Sequence, residues 1–251
     1  MINYCIVIPT YNNQGTLAQV LDRCLAVTSH VMVVNDGSTD DTARLLKPYA
    51  QRGVVVIDYP RNRGKGYALR RGLGQARDMG YDYAVTLDAD GQHFPEDVPL
   101  LLAPLEASQE PLLVVGARAF DADGMPQANR WANRFSNFWF RVQTGISLPD
   151  TQSGFRAYPL GSLPPLRYLT RRYESELELL VWSAWRGVKL QAVPVRVYYP
   201  PKEERVSHFR PWADFLRITL LNTFLSVVAL CLVWPSSLLR KREIKESRNE
   251  I

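Results

Sequence analysis

The chain has 251 residues, with 30 Lys plus Arg against 25 Asp plus Glu for a net charge of +5, and 46% hydrophobic content. That length is ample for a buried core, and ordinary Gly and Pro usage with 22% charged and 11% aromatic residues excludes collagenous, low-complexity and disordered chains. Three cysteines (Cys5, Cys24, Cys231) lack metal-ligand spacing, which argues against a disulfide framework or a zinc site and for a reducing, cytosolic setting.

The first segment, MINYCIVIPTYN, has no basic region ahead of a long apolar stretch and no small-residue cleavage site, so it reads as a buried strand and not a signal peptide. Short β-branched runs recur at Tyr4 to Ile8, Val31 to Val34, Val54 to Ile57, Tyr83 to Leu87 and Leu112 to Val115. Helical patterns lie between them at Thr16 to Ala26, Asp40 to Ala50, Gly66 to Asp78 and Pro95 to Ala107. Such alternation predicts an α/β fold, with a mostly parallel, Rossmann-like sheet covered by helices on both faces. Beyond Gly116 the pattern predicts an aromatic helix at Asn129 to Gln143, a strand or hairpin near Ser153 to Tyr158, a helix at Tyr173 to Arg186 and a closing strand at Leu190 to Tyr198. Residues 1–200 read as one domain, whose first half (1–116) looks nucleotide-binding and whose second (117–200) looks acceptor-binding.

After it come a basic, aromatic stretch (201–211), an apolar helix (212–235) and a basic polar tail (236–251). The apolar run, bracketed by Trp212 and Trp234, suits membrane contact; a buried core helix is the competing reading. Basic residues flank it on both sides, with Arg205, Arg210 and Arg217 before and Arg240, Lys241, Arg242, Lys245 and Arg248 after. A single span would export one basic flank, and a helix lying in the plane of the membrane avoids that conflict. Oligomers of single spans stay open as an alternative. The excess of basic residues suits phosphorylated ligands or an anionic membrane surface, and no recognisable module points to nucleic acid.

Three segments carry chemistry. In TLDADGQH, Asp88 and Asp90 stand where an apolar strand ends, the edge at which open α/β sheets bind ligands, and such oxygen donors suit Mg²⁺ or Mn²⁺ on a diphosphate. A solvated acidic turn is the plain alternative. In VVNDGSTDDT, Asp36 remains once helix capping has explained Ser38 to Asp41, and it is placed to bond a base or ribose. NRGKGYAL puts Lys65 between two glycines at a helix start, where backbone N–H groups favour anions.

These segments, together with IVIPTYNNQGTL and SGFRAY, resemble the family 2 glycosyltransferases of GT-A type, and within them the polyprenyl-phosphate, dolichol-phosphate mannose synthase-like branch. The resemblance covers about residues 2–200. It implies nucleotide contacts from Pro9, Thr10, Tyr11 and Asn12, a base contact from Asp36, and Lys65 near nucleotide or phosphate. It further implies that Asp88 and Asp90, with Gln92 as an additional ligand, hold the metal and the sugar diphosphate. Arg118, Arg134 and Arg156 would gather charge for an acceptor or leaving phosphate. Glu174 matches the catalytic-base position, and Glu176 is the second candidate; both also fit the solvated face of an amphipathic helix. Arg205, His208 and Arg210 would belong to a loop closing over the donor.

The resulting expectation is a metal-dependent inverting hexosyltransferase at the cytosolic membrane face. It would move a sugar from a UDP- or GDP-sugar to a lipid-linked acceptor, either a polyprenyl phosphate or a lipid hydroxyl. The competing expectations are a soluble or polysaccharide acceptor, a nucleotidyltransferase, or a non-catalytic nucleotide-sugar-binding protein.

Overall fold

The computed structural model describes residues 2–118, 127–166, 170–199 and 211–235. In the first half, β1 (Tyr4–Thr10), β2 (Val31–Asn35), β3 (Val55–Asp58), β4 (Tyr83–Thr86) and β5 (Leu112–Arg118) alternate with α1 (Leu17–Val27), α2 (Thr42–Gln51), α3 (Lys65–Asp78) and α4 (Val98–Ala107). A 3₁₀ turn at Pro95–Asp97 leads into α4. The remainder comprises α5 (Gln127–Thr144), β6 (Arg156–Pro159), α6 (Glu174–Trp185), β7 (Lys189–Val195) and α7 (Pro211–Val228), which continues as a π turn over Ala229–Val233.

The seven strands form one sheet in the order β3-β2-β1-β4-β6-β5-β7. Side chains alternate across a strand, so Cys5 and Val7 enter one core with α3 and α6, while Ile6 and Ile8 enter another with α1 and α4. Burial on both faces explains why the interior strands read as unbroken apolar runs. All neighbours pair in parallel except β6, which is antiparallel to both β4 and β5.

Two consequences position the site. The chain runs outward from β1 through β2 to β3, then returns to lay β4 on the other side of β1. A crevice therefore opens beyond the carboxyl ends of β1 and β4, the switch point at which sheets of this kind bind ligands. The reversed β6 brings the loop before it to the end of β4, where Thr86 pairs with Arg156 and the Thr86 hydroxyl donates to the Gly154 carbonyl at 2.8 Å.

Helix α7 has one face packed into the core and one apolar face that is exposed. Leu221 and Leu225 enter the core beside Phe140 of α5 and Leu180 of α6. The buried Gln143 amide of α5 donates to the Asn222 carbonyl (3.2 Å) and side-chain oxygen (3.0 Å), a polar clamp between α5 and α7. The opposite face exposes Leu216, Leu220, Phe224, Val227 and Leu230. The window Leu216–Val233, 18 residues with a mean hydropathy of 2.0, is long and apolar enough to cross a membrane by length and composition.

Candidate active site

The loops after β1 and β2 are stitched into one wall. Pro9 and Thr10 end β1 in the interior, and the Asp36 N–H donates to the Thr10 carbonyl at 2.8 Å. Tyr11 is half-buried beside Asn12. Asn12 adopts a left-handed φ of 53°, a conformation asparagine tolerates better than most residues. Its N–H donates to the Ser38 hydroxyl at 2.9 Å, and its side-chain oxygen accepts from the Thr39 N–H at 2.8 Å.

Asp36 is almost fully buried. One carboxylate oxygen accepts the Arg63 N–H at 2.7 Å and the other the Gly64 N–H at 2.8 Å. Burial holds its pKa above the usual carboxylate range despite those two bonds. The residue expected at the base thus also braces the loop between β3 and α3. Gly37 is required there, because φ is 64° and a Cβ would fall 2.4 Å from the Arg61 carbonyl carbon.

The electrostatic centre lies at the end of β4. The Lys65 ammonium, from the first turn of α3, stands 2.7 Å from Asp88 Oδ1 and 2.9 Å from Glu176 Oε2 of α6. Burial alone would draw the lysine pKa down; the two carboxylates outweigh it and hold the group above the usual lysine range. Asp88, which burial would raise, is held low by Lys65. Asp90 is pushed up to about 6, first by burial and then by the neighbouring Asp88. Its Oδ1 accepts the Gln92 N–H at 3.0 Å, closing a tight turn. His93, which was not singled out from the sequence, is buried against Phe155 with ring centroids 5.2 Å apart, and burial draws its pKa down to about 4, so it is neutral at pH 7.

The donor set fits a hard divalent cation. Asp88 and Asp90 place two carboxylates two residues apart, burial and then the Asp88 charge raise Asp90, and Gln92, two residues on, carries a neutral amide oxygen. Among the described residues no group of three or more His, Cys, Asp or Glu could hold a metal by itself. Further ligands would have to come from a bound diphosphate or from water, as Mg²⁺ sites commonly arrange.

The acceptor-side residues divide. The assignment of Arg156 to a phosphate is corrected. Its guanidinium is fully buried and donates to the carbonyls of Ser153 (2.7 Å), Glu176 (2.7 Å) and Thr151 (2.9 Å) and to the Tyr158 hydroxyl (3.2 Å). It ties α6 to β6 instead of facing a ligand. Arg118 is held in a bidentate pair with Asp150, at 2.7 and 3.0 Å. Asp150 also accepts the N–H groups of Gln152 and Ser153, so it organises the loop that leads into β6; no sequence motif had marked it. Arg134 lies on the exposed face of α5. Glu174 is buried, and its Oε2 has no hydrogen-bond partner among the described residues. Glu176 is the α6 carboxylate that joins Lys65 and Asp88. Arg205, His208 and Arg210 lie outside the described residues.

Gly154 is the floor of this cluster. A Cβ there would stand 3.0 Å from Asp88 Oδ2, 3.1 Å from Glu176 Oε1 and 3.2 Å from Lys65 Nζ. Gly154→Ala is therefore expected to leave the circular dichroism spectrum intact while lowering kcat about tenfold or more, roughly 1.4 kcal/mol of transition-state stabilisation. Unchanged kcat would show that the cluster shifts freely.

The family model described as glycosyl transferase family 2 matches residues 5–163, which span the loop after β1, Asp36, Lys65, Asp88, Asp90 and Gly154. The chain belongs to glycosyl transferase family 2. Among family relatives, UDP-N-acetylglucosamine–dolichyl-phosphate N-acetylglucosaminyltransferase of Methanococcus voltae is 29% identical over 215 residues, covering 77% of this chain and 85% of the relative. Undecaprenyl-phosphate mannosyltransferase of Micrococcus luteus is 30% identical over 199 residues, covering 75% and 81%. The crystal structure of mannosyl-3-phosphoglycerate synthase from Rubrobacter xylanophilus superposes with a TM-score of 0.65 at 20% identity, over 90% of this chain and 74% of that one, and shows the shared fold.

Proposed function

We propose that this family 2 glycosyltransferase transfers a sugar, with inversion, from a nucleoside-diphosphate sugar to a lipid-linked phosphate at the cytosolic face of a membrane. The observation that carries the reading is the Lys65, Asp88 and Asp90 cluster at the crevice beyond β1 and β4, within a domain whose α7 exposes a continuous apolar face. The polyprenyl-phosphate acceptors named for the two relatives support the choice of acceptor.

Residues 1–116 would hold the nucleotide. The wall formed by Pro9, Thr10, Tyr11 and Asn12 and the buried Asp36 would take the base and ribose. Asp88 and Asp90, with the Gln92 amide oxygen, would hold a Mg²⁺ or Mn²⁺ ion that neutralises charge on the donor diphosphate. An acceptor oxygen attacks the anomeric carbon from the face opposite the diphosphate. As the new C–O bond forms, the bond to the diphosphate breaks and its electron pair leaves on the nucleoside diphosphate. Lys65 stabilises that developing charge from a buried position, where the interaction is strong. A phosphate acceptor is already largely ionised at neutral pH and needs no base. For a hydroxyl acceptor, Glu176 is the carboxylate nearest the cluster.

The membrane would be met by two helices. Besides the outer face of α7, helix α5 exposes Trp131, Arg134, Phe138 and Arg141. Their spacing of three, four and three residues puts them on one stripe. Aromatic rings alternating with arginines suit the headgroup region of an anionic leaflet. Since the other face of α7 is packed into the domain, this helix would lie in the membrane plane, which also removes the conflict of its two basic flanks. Trp131→Ala with Phe138→Ala is expected to lower sedimentation with anionic vesicles several-fold and leave the melting temperature unchanged. Equal sedimentation would remove α5 from the interface.

The test of the activity is a screen of radiolabelled UDP- and GDP-sugars against vesicles that contain undecaprenyl phosphate. Label extracted with the lipid from one donor is the expected outcome. Label that reaches only water-soluble sugars, peptides or phosphorylated acids would replace the lipid acceptor by a soluble one.

A further inference from the structure

Lys65 occupies the position where a cation should act. Its ammonium is 2.7 Å from Asp88 Oδ1, the same carboxylate that a divalent ion would need, and it is also held by Glu176 at 2.9 Å. The Tyr173 ring lies 5.8 Å from it, and its side chain is 17% exposed. The site thus sets three carboxylates, Asp88, Asp90 and Glu176, against one ammonium. An ammonium and a divalent ion crowded onto one carboxylate repel each other strongly in so buried a place. The absence of a side chain at Gly154 keeps the space beside Asp88, Glu176 and Lys65 clear.

We infer that Lys65 is an internal counter-cation that is exchanged during donor binding, with Glu176 as its positioning residue. With no donor bound, Lys65 neutralises Asp88 and keeps the carboxylates together. When a divalent ion arrives with a diphosphate, the ion takes Asp88. Lys65, still tethered by Glu176, turns its charge to the diphosphate oxygens, so one group serves first as a stand-in for the metal and then as a stabiliser of the leaving group. This rests on the metal-assisted donor site proposed above and adds an order to it. The ion alone competes with Lys65 and binds weakly, while ion and nucleoside diphosphate together relieve the competition and strengthen each other reciprocally.

The exchange can be measured without turnover. Mn²⁺ binding to the full chain is followed by the paramagnetic resonance of free Mn²⁺, alone and with UDP or GDP, for the wild type and for Lys65→Met. Removing the competitor should tighten binding of Mn²⁺ alone about five- to tenfold. It should also weaken the nucleoside diphosphate about tenfold at saturating Mn²⁺. If Lys65→Met binds Mn²⁺ alone no more tightly than the wild type, the exchange is overturned. If wild type binds no Mn²⁺ even with either nucleotide, the metal-assisted reading fails and the exchange with it. Should Lys65→Met not fold, the unmodified chain still decides the matter through its ¹⁵Nζ lysine resonances. The slowly exchanging signal of the buried Lys65 should keep its position with UDP or GDP alone, and shift when Mg²⁺ and the nucleotide are added together. A signal unmoved by the pair would mean that Lys65 never leaves Asp88.

Discussion

Asp90→Asn is expected to abolish transfer and at the same time to stabilise the ligand-free protein at pH 7. Asp88→Asn should abolish transfer without that gain. The difference follows from their surroundings. Asp90 is pushed up to about 6 by burial and by Asp88, whereas Asp88 is held low because Lys65 overcomes its burial. A carboxyl whose folded pKa lies above its unfolded value opposes folding once it is ionised. Stability therefore falls as the pH rises from the ordinary aspartate pKa of 3.8 to about 6. Replacing Asp90 by the neutral amide removes that cost. Because Asp90 is only half-buried, solvent screening limits the gain to about 1 to 2 kcal/mol. For a chain of this size it corresponds to a melting temperature raised by about 3 to 6 °C. The gain should be full above pH 6, shrink through the window and vanish below it. Wild-type transfer should fall over the same window, as Asp90 takes a proton and no longer serves as an anionic ligand. A destabilised Asp90→Asn at pH 7 would show that Asp90 is paired in a way these surroundings do not provide.

The interior strands were legible because they are buried on both faces, so continuous runs such as CIVI and VMVV could be placed without any side-to-side pattern. The direction of β6 was not legible. FRAYP reads as a strand whichever way it runs, and only its insertion between β4 and β5 makes it antiparallel. Helix α7 was ambiguous for a related reason. It is apolar on both faces, so periodicity could not separate the side that packs on Leu180 from the side that meets solvent.

The candidate site was legible where function lies in a short motif and illegible where it depends on a charge partner distant in the chain. Asp88, Asp90 and Lys65 could be picked from their own segments, but their ion pairing spans three elements. That pairing raises Glu176 over Glu174, two residues apart in the first turn of one helix, a distinction with no signature in YESELELL. Arg156 was set near a phosphate by the family resemblance of SGFRAY and not by its own surroundings. A fully buried guanidinium must satisfy its donors, and here backbone carbonyls do so. Asp150, the partner of Arg118, carried no signal beyond a Pro-Asp turn.

Leu220→Ser, Phe224→Ser and Val227→Ser combined are expected to release the protein from membranes while the domain stays folded. All three side chains are about half exposed or more, at 62%, 45% and 55%, so their removal leaves no cavity. In the membrane interface each would bury apolar surface worth about 25 cal/mol per Å², roughly 1 to 2 kcal/mol per side chain. Together they account for on the order of 3 to 5 kcal/mol, a drop of about 10² to 10⁴ in partitioning. High salt should weaken wild-type binding only in part, since it screens the arginines and leaves apolar burial intact. Transfer to a short-chain phosphate acceptor dispersed in water should persist, because none of the three side chains is among the residues of the donor cluster. Leu225→Ser provides the contrast. Its side chain is fully buried in the core shared with α5 and α6, so that variant should lose several kcal/mol of stability and unfold instead of simply detaching. If the triple variant sediments with vesicles as fully as the wild type, the outer face of α7 does not meet lipid, and a protein partner must cover it.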